Sequence, residues 1–424
     1  MRHNLGAERI CCEHFRQPPN DMRVLVADKF EESGLDGLSR AGLEVLYEPA
    51  LKEESLTAAI ESSQADVLVV RSTQVTGPML EKSKLALIVR AGAGTNNIDT
   101  DAASGRGILV TNCPGKNSYA VAELAFGLIL ACDRHIPDNV SELREGRWDK
   151  TRFSRARGIY GRTLGLVGLG RIGQEMSTRG KAFGMNIVGY ARWLTPDVAA
   201  ALGIGRAETP HEVAVMADVV SVHVALTKDT RGLLDDRFFQ SLRPGAIFIN
   251  TSRAEVVEQK ALEKAVVAGR ITAGLDVFEG EPASGKGSYD GSLRSLPNVY
   301  CTHHIGASTD QAQEAVAAEV VRIVREFQSS GAAPNVVNIK RAEFATHLLV
   351  VRHLDRVGVL AGVLGRLKDE GVNVQEMENI ILGGAKAAIA QISVDKEPSK
   401  QTIFQIKMDE SVFDASVFPI KREV

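Results

Sequence analysis

Three residues of unlike chemistry stand out in the second half of the chain: Arg253, Glu281 and His304. Each follows a short apolar run, in Asn250-Thr251-Ser252-Arg253, in Gly274 to Pro282 and in Thr302-His303-His304-Ile305-Gly306. A guanidinium can grip a carboxylate and polarise the carbonyl beside it. An imidazole titrates near neutrality, and a neighbouring carboxylate orients the ring and favours its charged form. Together they suit hydride transfer to a 2-keto acid, with the cation holding the acid and the histidine handling the proton. Taken singly, each has a plain explanation: an Arg capping a loop, a surface Glu before Pro282, a satisfied loop His. His303 and His304 are adjacent and compete for the proton-carrying role.

A hydride needs a carrier, and upstream lies Gly168-Leu169-Gly170-Arg171-Ile172-Gly173. It follows the apolar strand pattern Thr163–Val167 and opens a helical pattern, Gln174–Phe183, which is the setting a dinucleotide loop needs. The first glycine permits the tight turn, the second lets backbone approach a pyrophosphate, and the third lets helix and strand pack closely. Free N–H groups at the helix start then face the anion. Gly168, Gly170, Arg171, Ile172, Gly173 and Thr251 are therefore cofactor-binding candidates. The acidic residue expected about twenty positions on is missing. Gly189-Tyr190-Ala191-Arg192-Trp193 stands there, with no Asp or Glu before Asp197. NAD is expected, and NADP is the alternative if Arg192 accepts a 2′-phosphate rather than lying solvated on the surface.

These residues have to be held by a scaffold, and the chain alternates strand and helix from Met22 onward. Apolar runs at Val24–Asp28, Val67–Arg71, Leu87–Val89 and Ile108–Thr111 form a first series. One long helix is expected from Val121 to about Arg147. A second series runs through Thr163–Val167, Ile187–Tyr190, Val219–His223, Ala246–Asn250 and Ala273–Val277 to Val299–Thr302. This is the signature of parallel sheets with crossover helices. Ser308 with Gln311 suits a capping box opening another helix, with Val316, Val320, Val324 and Phe327 on one face. Pro334–Glu343 reads as a linker. The remainder starts afresh as strand (Thr346–Arg352), helix (Gly358–Glu370), strand (Val372–Leu382), a Gly383-Gly384 turn and strand (Ala387–Val394). Residues 1–21 are expected to be a disordered tail.

The 424 residues are 44% hydrophobic and 24% charged, with a net charge of -3, which predicts a globular protein without a nucleic-acid or membrane partner. The five cysteines form no metal-ligand or disulfide pattern, so no metal and a reducing cytoplasmic setting are expected.

From Met22 to its end the chain resembles the D-isomer-specific 2-hydroxyacid dehydrogenases. Arg90-Ala91-Gly92-Ala93-Gly94 leading to Asn97-Ile98-Asp99, Asn117 with Val121-Ala122-Glu123, the glycine loop and the Arg, Glu and His segments carry the likeness. The resemblance implies two Rossmann-like doubly wound α/β domains. The substrate domain would be discontinuous (22–123 and 305–338), and the nucleotide-binding domain (124–304) inserted. It implies that Arg253 binds substrate, that Glu281 and His304 handle the proton, and that Asp276 lies near the nicotinamide. Arg71, Ser72, Gly92, Ala93, Gly94 and Asn117 would touch substrate. Lys116, beside Asn117, could meet a substrate phosphate or be a solvated loop lysine. His304 is preferred over His303 because Ile305-Gly306 follows it in the family's register. His303 stands where Pro is common, as does Ala225 in the cofactor loop.

Residues 345–424 resemble the ACT regulatory domain, an α+β unit that pairs side by side and binds amino acids at a strand–helix turn. His353, Asp355 and Asn373 are thus candidate contacts for an L-serine effector, the alternative being a purely dimerising unit. A homodimer or homotetramer is implied. The expected substrate is a phosphorylated 2-hydroxy acid. Reduction of glyoxylate or hydroxypyruvate, or nucleotide sensing in the manner of dehydrogenase-like corepressors, are the alternatives.

Overall fold

The structure, a computed structural model, describes residues 22–282, 286–339 and 344–420. The expectation for residues 1–21 and part of the Pro334–Glu343 linker lie outside them. Two units are present, one ending at Val337 and the other beginning at Asn338.

The first unit holds two parallel sheets. Strands β1 (Arg23–Val26), β2 (Glu44–Tyr47), β3 (Val67–Val70), β4 (Leu87–Arg90) and β5 (Leu109–Asn112) form a sheet of order β2-β1-β3-β4-β5. The runs VLVV and LIVR are buried almost throughout, as strands covered on both faces must be. Strand β2 was not expected from the sequence. It is a half-exposed edge of four residues, too short for a buried strand's apolar run.

A second sheet contains β6 (Thr163–Val167), β7 (Asn186–Tyr190), β8 (Gly205–Arg206), β9 (Val219–Val222), β10 (Ala246–Asn250), β11 (Ile271–Leu275) and β12 (Val299–Cys301). Its order is β12-β11-β10-β9-β6-β7-β8, so the chain reverses direction of travel between β6 and β9. The crevice outside the strand carboxyl ends at such a point is where open α/β sheets hold ligands.

Two helices join the sheets. The helix Ser118–Arg134 leaves the first sheet, and its buried Ala125, Ile129 and Cys132 pack in the core of the second. The single helix expected to about Arg147 breaks at His135, which has φ 51°, and a second helix runs Ile136–Arg144. Pro137 explains the break, since it lacks an N–H and its ring would strike the carbonyl four residues back. The helix Asp310–Ser330 returns to the first sheet. Its buried Val316, Val320, Ile323 and Val324 meet Val24, Val26, Val67, Val69, Leu87 and Val89. Burying those four side chains is worth up to about 6–12 kcal/mol, which anchors the segment after His304. The cap is Thr309, whose hydroxyl accepts from Ala312 N, rather than the expected Ser308.

The second unit is an antiparallel sheet of β13 (His347–Leu354), β14 (Val374–Ile381), β15 (Ala387–Val394) and β16 (Val412–Pro419), ordered β14-β15-β13-β16. Helices Val359–Asp369 and Lys400–Lys407 cover one face. This is the ACT-like arrangement, completed by a helix and strand after residue 399 that the sequence reading left unassigned.

Candidate active site

The carboxyl ends of the two sheets face a cavity of about 1110 Å³, with Arg71, Arg90 and Asn117 on one side and Glu281, His303 and His304 on the other. His304 Nδ1 lies 2.6 Å from Glu281 Oε2. The second oxygen, Oε1, accepts from the Phe278 N–H at 2.8 Å, so the carboxylate cannot rotate away from the ring. Burial pushes the Glu281 carboxyl up, but hydrogen bonds from His304 and Phe278 N outweigh it and hold the group below the usual carboxylate range. His303 faces the same cavity with no hydrogen bond to its ring among the described residues. Only His304 has an orienting partner.

The backbone at His304 is left-handed, φ 51°, a conformation that costs a non-glycine residue roughly 1–2 kcal/mol. Asp276, buried just beyond β11, holds it there. One of its oxygens accepts from Thr302 Oγ1 (2.6 Å) and Ile305 N (2.9 Å), the other from Gly306 N (2.9 Å). The residue expected beside the cofactor is thus also the clamp on the histidine loop.

Three guanidiniums converge across the cleft. Arg253 donates from Nη1 to Ser252 O at 2.6 Å, and its Nη2 occupies the space a side chain at Gly94 would fill. Arg90 likewise lies where a side chain at Gly92 would stand, and its buried Nε has no partner. Burial, then the charges of Arg253 and Arg71, drive Arg90 down to about 10. Mutually repelling cations in a cleft are what a ligand with more than one negative charge would relieve. Arg90 was not singled out from the sequence, although it heads the quoted Arg90–Gly94 motif. A cation at the end of a buried strand was the available signal. Ala93 contributes a carbonyl that accepts from Asn112 Nδ2.

The nucleotide loop follows β6. Gly168 has φ 102° and presses against the His223 carbonyl, while a side chain at Gly173 would collide with Gly168 O. Gly170 caps the helix Arg171–Ala182 with open space around it, leaving backbone free to meet a phosphate. Ile172 packs against the core, and the Arg171 stem crosses Gly115 of the first sheet's side. At the carboxyl ends of β9 and β10, His223 Nδ1 and Thr251 Oγ1 are buried without partners among the described residues. Burial drives His223 down to about 3, so it is neutral. Orphaned polar atoms along one side of the crevice suit the polar edge of a dinucleotide.

Residues 126–306 match the family described as D-isomer specific 2-hydroxyacid dehydrogenase, NAD binding domain. A D-3-phosphoglycerate dehydrogenase of Methanocaldococcus jannaschii is 39% identical over 82% of this chain and 67% of its own length. A hydroxypyruvate reductase of Thermotoga maritima is 40% identical over 72% of this chain and 98% of its own. The chain belongs to the D-isomer-specific 2-hydroxyacid dehydrogenases. The dehydrogenase also superposes on NAD+-bound 3-phosphoglycerate dehydrogenase from Entamoeba histolytica, with TM-score 0.63 and 25% identity over 75% of this chain and 99% of that one. It spans about two thirds of the length of the curated phosphoglycerate dehydrogenases it matches. The family's cofactor is NAD, and the glycine loop and orphaned atoms are where this dehydrogenase would hold it.

The structure places two further groups of sequence candidates. Lys116 Nζ lies 3.2 Å from Glu319 Oε2, a carboxylate that is nearly buried, while the lysine side chain itself is 36% exposed. His353, Asp355 and Asn373 do not come together within one chain. His353 and Asp355 sit at one end of β13, whereas Asn373 precedes β14 at the other end, bonded to Asp395. Seven residues of strand separate them, about 23 Å. His353 is buried as well, with its ring nitrogens on Leu354 O and Asn379 Oδ1. Arg192, by contrast, is exposed at the end of β7, with Asp229 3.9 Å away.

Proposed function

We propose that the dehydrogenase oxidises 3-phospho-D-glycerate to 3-phosphohydroxypyruvate with NAD, a step toward L-serine. The observation that carries this reading is the cluster of Arg71, Arg90 and Arg253, of which Arg71 and Arg90 line the cavity and Arg253 acts on Arg90 from beside it. Asp28 acts on Arg90 and Glu281 on Arg253, and a 2-hydroxy acid without phosphate adds one further negative group. A phosphorylated one offers two.

In the forward direction Arg253 grips the substrate carboxylate and, with the backbone at Gly92–Gly94, fixes the C2 hydroxyl toward His304. Arg71, Arg90 and Asn117 take the distal phosphate, beside Ser72, whose N–H and hydroxyl are already given to Asp28. His304 accepts the hydroxyl proton at Nε2, because Nδ1 is committed to Glu281. The Glu281 charge favours the imidazolium that results, which Phe278 N keeps correctly aimed. NAD, when bound, supplies the acceptor for the hydride leaving C2. On reduction of the keto acid the same groups act in reverse.

Specificity constants for 3-phosphohydroxypyruvate, hydroxypyruvate and glyoxylate test this reading. The phosphorylated acid is expected to win by at least a hundredfold, and Arg90→Met to remove most of that margin. Preference for hydroxypyruvate would instead favour the reductase activity, which the Thermotoga relative's full-length match supports. Turnover of none of them, with NADH still bound, would favour a nucleotide sensor, against which the aligned Glu281–His304 pair argues. Assays with NADH and NADPH, in wild type and Arg192→Ala, measure what Arg192 contributes. An L-serine site using His353, Asp355 and Asn373 would need a second chain to complete it. Inhibition by L-serine that disappears on dilution to monomer would support both the effector and the homo-oligomer.

A further inference from the structure

Asp28, immediately beyond β1, has no place in the chemistry above, yet it is the most heavily hydrogen-bonded carboxylate near the cavity. Its Oδ2 accepts three successive backbone N–H groups, those of Arg71 (2.6 Å), Ser72 (3.0 Å) and Thr73 (3.0 Å). Its Oδ1 accepts from the hydroxyls of Thr73 (2.9 Å) and Ser72 (3.2 Å). Three consecutive N–H groups pointing at one oxygen form a backbone nest, a concavity that attracts anions. Here the chain fills the nest with its own side chain.

The carbonyl side of the same turn is tied down separately. Asn97 Nδ2 donates to Thr73 O at 2.7 Å, and Val75 N donates to Asn97 O at 2.8 Å. The segment from Arg71 to Val75 is therefore gripped from both edges. Arg71 lines the cavity from this segment, with Ser72, Thr73 and Gln74 beside it. Burial pushes the Asp28 carboxyl up, but the three backbone N–H groups and the Thr73 hydroxyl outweigh it and hold it below the usual range.

We propose that Asp28 is a positioning residue for substrate binding, which plugs the nest of the 71–73 turn so that Arg71 is aimed at the substrate and the nest cannot capture a substrate anion out of register. The inference rests on the reading of the cavity as the 2-keto acid site. It makes a chemical distinction between variants. In Asp28→Asn the amide oxygen can fill the nest while its NH2 donates to the two hydroxyls, so the turn survives without the charge. In Asp28→Ala neither is possible.

The experiment measures KM and kcat for whichever 2-keto acid the wild type turns over best, together with the NADH dissociation constant. Asp28→Ala should raise KM at least tenfold with kcat within threefold and NADH binding unchanged. Asp28→Asn should stay within threefold of wild type in KM. In an Arg71→Ala background, Asp28→Ala should change KM less than twofold. If Asp28→Ala does not fold, Asp28→Glu, one methylene too long for the nest, carries the same test. Equal losses in Asn and Ala (or Glu) variants, a loss in kcat alone, or full additivity with Arg71→Ala would overturn the proposal. Because the substrate is chosen by activity, a preference for an unphosphorylated acid would defeat the phosphoglycerate reading without touching this one.

Discussion

Gly94→Ala is the sharpest perturbation the cleft allows, because it moves one side chain without disturbing the backbone. Gly94 is not in the left-handed region, so alanine meets no conformational strain there. Its new methyl would fall well inside contact of Arg253 Nη2. Carbon–nitrogen contact near 3.5 Å requires the guanidinium to retreat by roughly 1 Å. The Arg253 Nη1 bond to Ser252 O opposes that movement without being able to prevent it. A misplacement of about 1 Å in a substrate-positioning group can cost on the order of 100-fold, equivalent to about 2.7 kcal/mol of transition-state stabilisation. Steady-state reduction of the preferred 2-keto acid should show that loss in kcat/KM. NADH affinity should stay within twofold and the melting temperature within a few degrees, since the fold has nothing to accommodate. In an Arg253→Ala background the same substitution should cost almost nothing more, because contacting residues are not additive. A kcat/KM within threefold of wild type, or a fully additive double variant, would refute the reasoning.

Gly173→Ala meets a rigid neighbour, the Gly168 carbonyl, so it should destabilise by about 1–3 kcal/mol and weaken NADH more than tenfold in a fluorescence titration. Unchanged affinity would show that the loop does not hold the cofactor. His304→Asn should reduce kcat by about 10²–10⁴ and abolish the main ionisation in the pH–rate profile, whereas His303→Asn should stay within a few-fold. The reverse pattern would reassign the proton carrier. Glu319 is held down to about 2 by hydrogen bonds from Arg322, Asn335 and Lys116, against the opposing effect of burial. A depressed carboxylate stabilises fully above its unfolded value, and that contribution fades as pH falls from about 4.5 toward 2. Urea unfolding at pH 5 and pH 3 should therefore differ less in Glu319→Gln than in wild type, by on the order of 1 kcal/mol after discounting the half-exposed Arg322. Equal differences would place the acid lability elsewhere. Lys116→Ala should leave substrate KM unchanged while lowering stability.

Much of this protein was readable from local pattern. Buried parallel strands announce themselves as apolar runs, and the glycine loop needs only its flanking strand and helix to be recognised. Arg253, Glu281 and His304 were identifiable because each follows such a run, and strand carboxyl ends are where α/β folds gather ligands. The Pro137 break was also in the sequence, hidden by the apolar periodicity on either side of it.

What depended on the tertiary structure were relations between residues distant in the chain. The hydrogen bond between His304 and Glu281 gives a physical reason for the preference over His303 that the register of Ile305-Gly306 had suggested. Asp28 and Arg71 are 43 residues apart, and only the pairing of β1 with β3 brings the carboxylate onto the turn. Lys116 meets Glu319 only because the helix Asp310–Ser330 folds back beside it. His353 and Asn373 were both effector candidates, and the sheet order sets them at opposite ends within one chain. Residue type determined which chemistry was possible along the strand ends. Long-range packing decided which of those charges were left for a ligand, because a charge already satisfied inside the fold has nothing more to offer.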